Sequence, residues 1–211
     1  MNGKFISLEG GEGAGKSTVL SIAREILLEQ GKEVVLTREP GGTDVGEALR
    51  KILLDPSYRA MCPETELLMM FASRAQLVRE IIKPALDQGK WVLTDRFTDA
   101  SYAYQGGGRG QPLERIAELE SWAAEITPDL TLLLDLSVTQ GLQRAGNRAS
   151  SDRIEMENVD FFQKVRDAYR DRADLHKSRY RMIDASLPLD QVLEQVKKTL
   201  HDFIERTNRS T

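Results

Sequence analysis

Two spacings of apolar residues alternate along the chain. Compact runs at 4–10 (KFISLEG), 33–37 (EVVLT), 91–95 (WVLTD), 129–135 (DLTLLLD) and 180–184 (YRMID) predict five strands. Between them the apolar positions fall three and four apart, the period of a helix with one buried side. Val19, Ile22, Ala23, Ile26 and Leu27 mark a helix over 16–30 that Gly31 stops. Residues 44–54 read as a second helix. Leu67, Leu68, Phe71, Ala75, Val78 and Ile82 share one side of a long helix over 64–82, which Pro84 kinks or restarts. Helices are also expected over 113–126, 138–146 and 158–177, and Leu189, Val192, Val196, Leu200 and Phe203 mark the last one. AYQGGGRGQP (103–112) reads as a flexible loop, 147–153 as a polar charged segment and 206–211 as a flexible tail.

Strands that alternate with helices imply a parallel sheet covered on both faces, because each return to a parallel neighbour needs a long crossover. The nearly all-apolar run at 129–135 fits a strand buried on both sides. The expected fold class is α/β, a five-stranded parallel sheet flanked by helices in a three-layer sandwich. One domain over 1–205 is expected, with a lid segment at about 144–155. Ligands of such sheets gather at the carboxyl ends of the strands. That singles out the loops after Glu9, Thr37, Asp95 and Asp135.

Composition narrows the classes. The chain has 211 residues, 40% hydrophobic and 29% charged, which suits one globular core. A net charge of −4 argues against a general nucleic-acid or anionic-membrane surface, though not against a small basic pocket. With Cys62 as the single cysteine and only His176 and His201, neither an intrachain disulfide nor a zinc cluster is expected. No run reaches membrane-spanning length and the first residues lack a signal peptide's apolar stretch, so the cytoplasm is the expected compartment.

The strongest chemical signal is Gly10–Gly11–Glu12–Gly13–Ala14–Gly15–Lys16–Ser17–Thr18, placed between a predicted strand and a predicted helix. Its glycines let backbone N–H groups approach phosphate, and the helix start adds a positive end. Lys16 is expected to reach the β- and γ-phosphates, and Ser17 to ligate Mg²⁺. Glu12 is out of place there, since a carboxylate repels a triphosphate. It either points away or faces something else. Asp95 closes a buried strand, where a phosphotransferase keeps a Mg²⁺-organising carboxylate. Arg96 beside it is suited to fork onto an acceptor phosphate.

Other groups are more ambiguous. Phe71 and Arg74 are three apart on a helix and so are neighbours. Spacing alone reads them as a core ring and an edge arginine. Ser101, Tyr104 and Gln105 could line a pocket. RAGNRASSDR (144–153) carries Arg144, Arg148 and Arg153 in a polar segment, the composition of a solvated loop or of a mobile lid. Phosphoryl transfer needs a cation against the charge spreading over the moving group. The phosphate loop holds Lys16 but no arginine, which favours the lid.

Taken together, EGGEGAGKST, TREPGG, FASRAQL, TDRF, AYQGGGRG, PDLTLLLD and DRIE resemble bacterial thymidylate kinases, a likeness covering residues 4 to about 200. The resemblance implies a P-loop nucleoside monophosphate kinase fold, transfer of the γ-phosphoryl group of ATP to dTMP with Mg²⁺, and a homodimer. By motif it places Gly10 to Thr18 on ATP, Ser17 and Asp95 at the metal, and Lys16, Asp95 and Arg96 at the catalytic centre. Arg38, Glu39 and Arg96 fall on the acceptor side. Phe71 is implied to stack on thymine, Arg74 to bond its O4, and Ser101 and Gln105 to complete base recognition. Tyr104 is implied to crowd the sugar's 2′ position, and Glu12 to accept from its 3′-hydroxyl. Some relatives carry a catalytic arginine in the phosphate loop and others in the lid. Gly11 and the three lid arginines make this chain similar to the lid type. Arg148 is then the expected transition-state contact, supported by Arg144 and Arg153. Phe97 departs from the histidine or tyrosine common after Asp–Arg, which removes a polar contact, and Gly146 makes the lid less basic. Rival readings are a P-loop kinase for another nucleotide or deoxynucleoside, or a P-loop regulatory ATPase. No Asn–Lys–x–Asp guanine motif occurs to support a GTPase.

Overall fold

The computed structural model describes residues 3–146 and 152–209. Five strands, β1 (Phe5–Glu9), β2 (Val34–Arg38), β3 (Trp91–Asp95), β4 (Leu130–Asp135) and β5 (Tyr180–Asp184), form one sheet. Their order is β2-β3-β1-β4-β5, and each neighbouring pair is parallel. Helices α1 (Lys16–Glu29), α2 (Asp44–Leu54), α3 (Pro63–Leu77), α4 (Lys83–Asp87), α5 (Thr98–Ser101), α6 (Leu113–Leu119), α7 (Val138–Ala145), α8 (Val159–Leu175) and α9 (Leu189–Arg209) surround it. The predicted strands and layers are those observed.

The core lies on both faces of the sheet. On one, Ile6, Leu8 and Leu132 pack with Val19, Leu27, Val196 and Leu200 of α1 and α9. On the other, Leu133 meets Phe162, Val165 and Tyr169 of α8, while Phe5 and Val92 meet Leu77 and Ile82. Phe97 is fully buried here, edge-on to Phe5 with ring centres 4.8 Å apart. Its departure from a polar residue is thus absorbed by the core.

Three expectations change. The glycine-rich stretch is not a flexible loop, because Tyr102–Gly108 continues α5 as a wide π-helical turn. Its glycines serve packing: a Cβ on Gly107 would sit 2.7 Å from Ala168 Cβ and 2.8 Å from the Lys164 carbonyl, so only glycine lets this turn lie against α8. The long helix does restart near Pro84 as expected, passing from α3 through a wide turn at Val78–Ile82 into α4. The turn widens just where Pro84 has no N–H to give. Leu68 is 57% exposed rather than on the buried side. The tail expected from 206 is instead the end of α9, which reaches Arg209 with Val196, Leu200 and Ile204 buried along it.

Candidate active site

β1 and β3 lie side by side at the centre of the sheet, so their carboxyl ends bring two loops together. The first wraps into α1 and has Gly15 in the left-handed region at φ 86°. Gly13, at φ 69°, leaves no room for a Cβ because the Gly141 carbonyl of α7 lies against it, and a Cβ on Gly141 would overlap the Glu12 carbonyl. The Lys16 ammonium is buried and donates to the carbonyls of Gly10 and Gly11, each at 3.1 Å. Burial, then the charge of Arg96, lowers its pKa, while Glu12, Asp95 and Glu9 oppose the shift.

The second loop leaves β3 at Asp95 and turns through Arg96, a non-glycine residue at φ 69°. Its neighbours hold that turn. Arg96 N donates to Leu8 O at 2.9 Å, and Phe97 N donates to the buried Glu9 carboxylate at 2.7 Å. The Arg96 guanidinium is thereby aimed across the cleft. Its Nη2 donates to Glu12 Oε1 at 2.7 Å and to the Tyr104 hydroxyl at 2.9 Å, and that hydroxyl donates to the same Glu12 oxygen at 3.1 Å. Burial raises the Tyr104 pKa first, with Glu12 adding to the shift against Arg96, so the phenol keeps its proton. The misplaced carboxylate of the phosphate loop is therefore turned to the wall opposite the phosphate cradle.

These groups border a cavity of about 530 Å³ at the carboxyl ends of the strands. Lys16, Ser17, Arg38, Asp95, Arg96 and Gln105 line it. Asp95 Oδ1 is buried without a hydrogen-bond partner among the described residues, 3.9 Å from Arg96 Nη1. Arg38 is half exposed and donates to both oxygens of Glu47, at 2.8 and 2.9 Å. Arg50 also lines the cavity and donates to Pro40 O at 2.8 Å. A larger open hollow of about 830 Å³ lies at the other end of the sheet, around Lys4, Lys32 and Trp91, and contains none of the phosphate-loop residues.

Phe71 and Arg74 are neighbours as their spacing required, with the guanidinium carbon 4.4 Å from the ring centre. Both are buried, and neither lines the cavity in this conformation. Arg74 donates from Nε to Glu39 Oε2 at 2.8 Å, from Nη1 to Ser101 Oγ at 3.0 Å and from Nη2 to Phe97 O at 3.2 Å. Glu39 supports Arg74 and also lines the cavity; burial raises its pKa and Arg74 opposes that. Two of the three arginines expected in a lid also point elsewhere. Arg144 donates to Ala185 O at 2.8 Å, and Arg153 is buried, donating to Leu53 O at 2.8 Å and Glu66 Oε2 at 2.6 Å. Arg148 lies outside the described residues.

Sequence reasoning missed three groups here. They are Glu9, which steadies the Arg96 turn, Arg50, and the buried Glu66 that holds Arg109 and Arg153. A carboxylate in an apolar stretch was the available signal for Glu9 and Glu66, but their partners lie far along the chain.

A family model described as thymidylate kinase matches residues 8–196. The chain belongs to the thymidylate kinase family. Its members are nucleoside monophosphate kinases that use ATP to convert dTMP to dTDP, and the five-stranded order seen here is the family's P-loop fold. The thymidylate kinase of Nitrosospira multiformis is 52% identical over 201 residues, 95% of this chain and 98% of that protein. That of Pseudomonas entomophila is 53% identical over 207 residues, covering 98% and 99%. The crystal structure of the thymidylate kinase from Ehrlichia chaffeensis superposes with a TM-score of 0.78 at 32% identity, over 95% of this chain and 99% of that one. Among the described residues, no helix is long and apolar enough to cross a membrane.

Proposed function

We propose that this thymidylate kinase transfers the γ-phosphoryl group of ATP to dTMP across the cavity between the phosphate loop and the Arg96 turn, giving dTDP and ADP. The observation that carries the reading is the Glu12–Arg96–Tyr104 cluster. One short loop offers its backbone to the donor and its one carboxylate to the acceptor side. ATP phosphates take the loop from Gly10 to Thr18, and Lys16 leaves its two carbonyl partners to meet them. Arg96 and Arg38 receive the dTMP phosphate, and Glu12 accepts from the sugar's 3′-hydroxyl. Tyr104, held against Glu12, crowds the 2′ position. Phe71 and Arg74 serve the base once the site opens to admit it, with Ser101 and Gln105 beside them.

The residues present fit Mg²⁺. This ion takes few protein oxygens and shares phosphate ligands, which matches Ser17 and Asp95, both lining one cavity, with Asp95 Oδ1 accepting no hydrogen bond among the described residues. Bound there, it would neutralise phosphate charge. The chain's own part is to align two phosphates for in-line displacement and to supply cations around them. The acceptor oxygen is already ionised near neutral pH, so no strong base is required. Arg144 and Arg153 are engaged with Ala185 and Glu66, which leaves Arg148 as the proposed lid contact to the moving phosphoryl group. The working unit is proposed to be a cytoplasmic homodimer, organised as a single kinase domain. A coupled ADP-release assay with dTMP, dUMP, UMP, dGMP and thymidine tests the reading. dTMP is expected to be the best acceptor, and faster turnover of another would overturn it.

A further inference from the structure

The reading of the cavity as a dTMP site leaves open how it chooses the base, and the following rests on that reading. Glu66 of α3 is 1% exposed. Among the described residues three side chains donate to its carboxylate: Gln105 Nε2 to Oε1 at 2.9 Å, Arg109 Nε to both oxygens at 3.3 and 3.2 Å, and Arg153 Nη2 to Oε2 at 2.6 Å. Burial alone favours the neutral acid, but the Gln105 bond and the charges of Arg109 and Arg153 outweigh it and hold the group ionised. An ionised carboxylate only accepts hydrogen bonds. The Gln105 amide has two unlike ends, and only its NH₂ end can face such a neighbour. Its carbonyl oxygen is therefore turned the other way. That oxygen is buried without a hydrogen-bond partner among the described residues, and Gln105 lines the cavity.

We propose that Glu66 is a specificity-determining positioning residue that locks the Gln105 carbonyl toward the base, so that the site takes a pyrimidine with a ring N–H and rejects one with a ring lone pair. Thymine and uracil carry hydrogen on N3 beside an O4 acceptor. Cytosine carries a lone pair on N3 beside an amino donor. Oε1 bonds the first edge and opposes the second, leaving two buried acceptors unpaired. Arg74 offers donors only, so it matches O4 and mismatches an amino group. Glu66 touches no substrate in this scheme. Its effect passes through Gln105, and its two arginines keep it charged whichever nucleotide is bound.

The test is Glu66→Gln. Arg109 and Arg153 then compete for the one carbonyl oxygen of the introduced amide, whose NH₂ turns to Gln105 and flips it. The ratio of kcat/KM for dTMP over dCMP is expected to fall about 10- to 100-fold, with dTMP losing and dCMP gaining. An equal loss on both substrates overturns the proposal. A wild-type measurement stands even if this variant fails to fold. The side-chain NH₂ resonances of Gln105, assigned by their disappearance in Gln105→Met, are expected to exchange slowly with deuterium before and after dTMP is added. Fast exchange that becomes slow only when dTMP binds means that the NH₂ faces the cavity, and it overturns the proposal. A wild-type enzyme that does not prefer dTMP refutes the dTMP assignment instead, whatever the amide resonances show.

Discussion

Replacing Glu12 by alanine separates the two faces of the phosphate loop. One oxygen of Glu12 gathers donors from Arg96 at 2.7 Å and Tyr104 at 3.1 Å, and the Arg96 and Glu12 side chains are only 19% and 14% exposed. A hydrogen bond to a charged group contributes about 1.5–3 kcal/mol. The two donors share one acceptor and are not independent, so about 2–3 kcal/mol is the reasonable total. At about 1.4 kcal/mol per tenfold, kcat/KM for dTMP is expected to fall about 30- to 150-fold. The ATP side depends on the backbone of the loop and on Lys16. The Glu12 charge reaches Lys16 only as one of several influences, behind burial and Arg96, so KM for ATP should move less than about twofold. Coupled ADP release, with each substrate titrated against saturating amounts of the other, reads both quantities. A comparable loss on the ATP side would refute the reasoning and return Glu12 to a role in loop structure alone.

The fully buried Glu9 has its pKa pushed up to about 8, first by burial and then by Asp99. The native state therefore holds a proton that the unfolded chain releases above the ordinary carboxylate range, and stability falls as pH rises from about 4.5 to about 8. Melting temperature should drop between pH 6 and pH 9 in the wild type, and Glu9→Gln should flatten that slope; an unchanged slope contradicts the assignment. Gly107→Ala should cost about 1–3 kcal/mol through overpacking against α8, or about 3–10 °C in melting temperature. A neutral result would restore the flexible-connector reading of the glycine stretch. Arg148→Ala should lower kcat about 10³-fold or more with ATP affinity nearly unchanged. Near-normal turnover would shift the role to Arg144 or Arg153.

Much of this architecture was legible because its signals are local. The run LTLLLD needs no partner to announce a strand buried on both faces, and the phosphate loop announces itself by glycine spacing. Asp95 and Arg96 were legible from their place at a strand end. What was not legible depends on distant partners. Arg153 looks like any solvated arginine until Glu66, on the distant helix α3, takes it inside. The spacing of Phe71 and Arg74 gave their contact, but not the Glu39 and Ser101 that occupy the guanidinium. The three glycines from Gly106 to Gly108 carry the same letters whether a segment is loose or pressed against a helix. Only the proximity of Ala168 and Phe161 decides.

The meeting of Gly13 with Gly141 sets how the loop and α7 respond to each other. No side chain lies between the two backbones to rotate and take up a displacement. α7 leads directly into the segment that carries Arg148. A shift of the phosphate loop is therefore handed to α7 backbone to backbone, with no side chain between them to absorb it, and a shift of α7 reaches the loop in the same way.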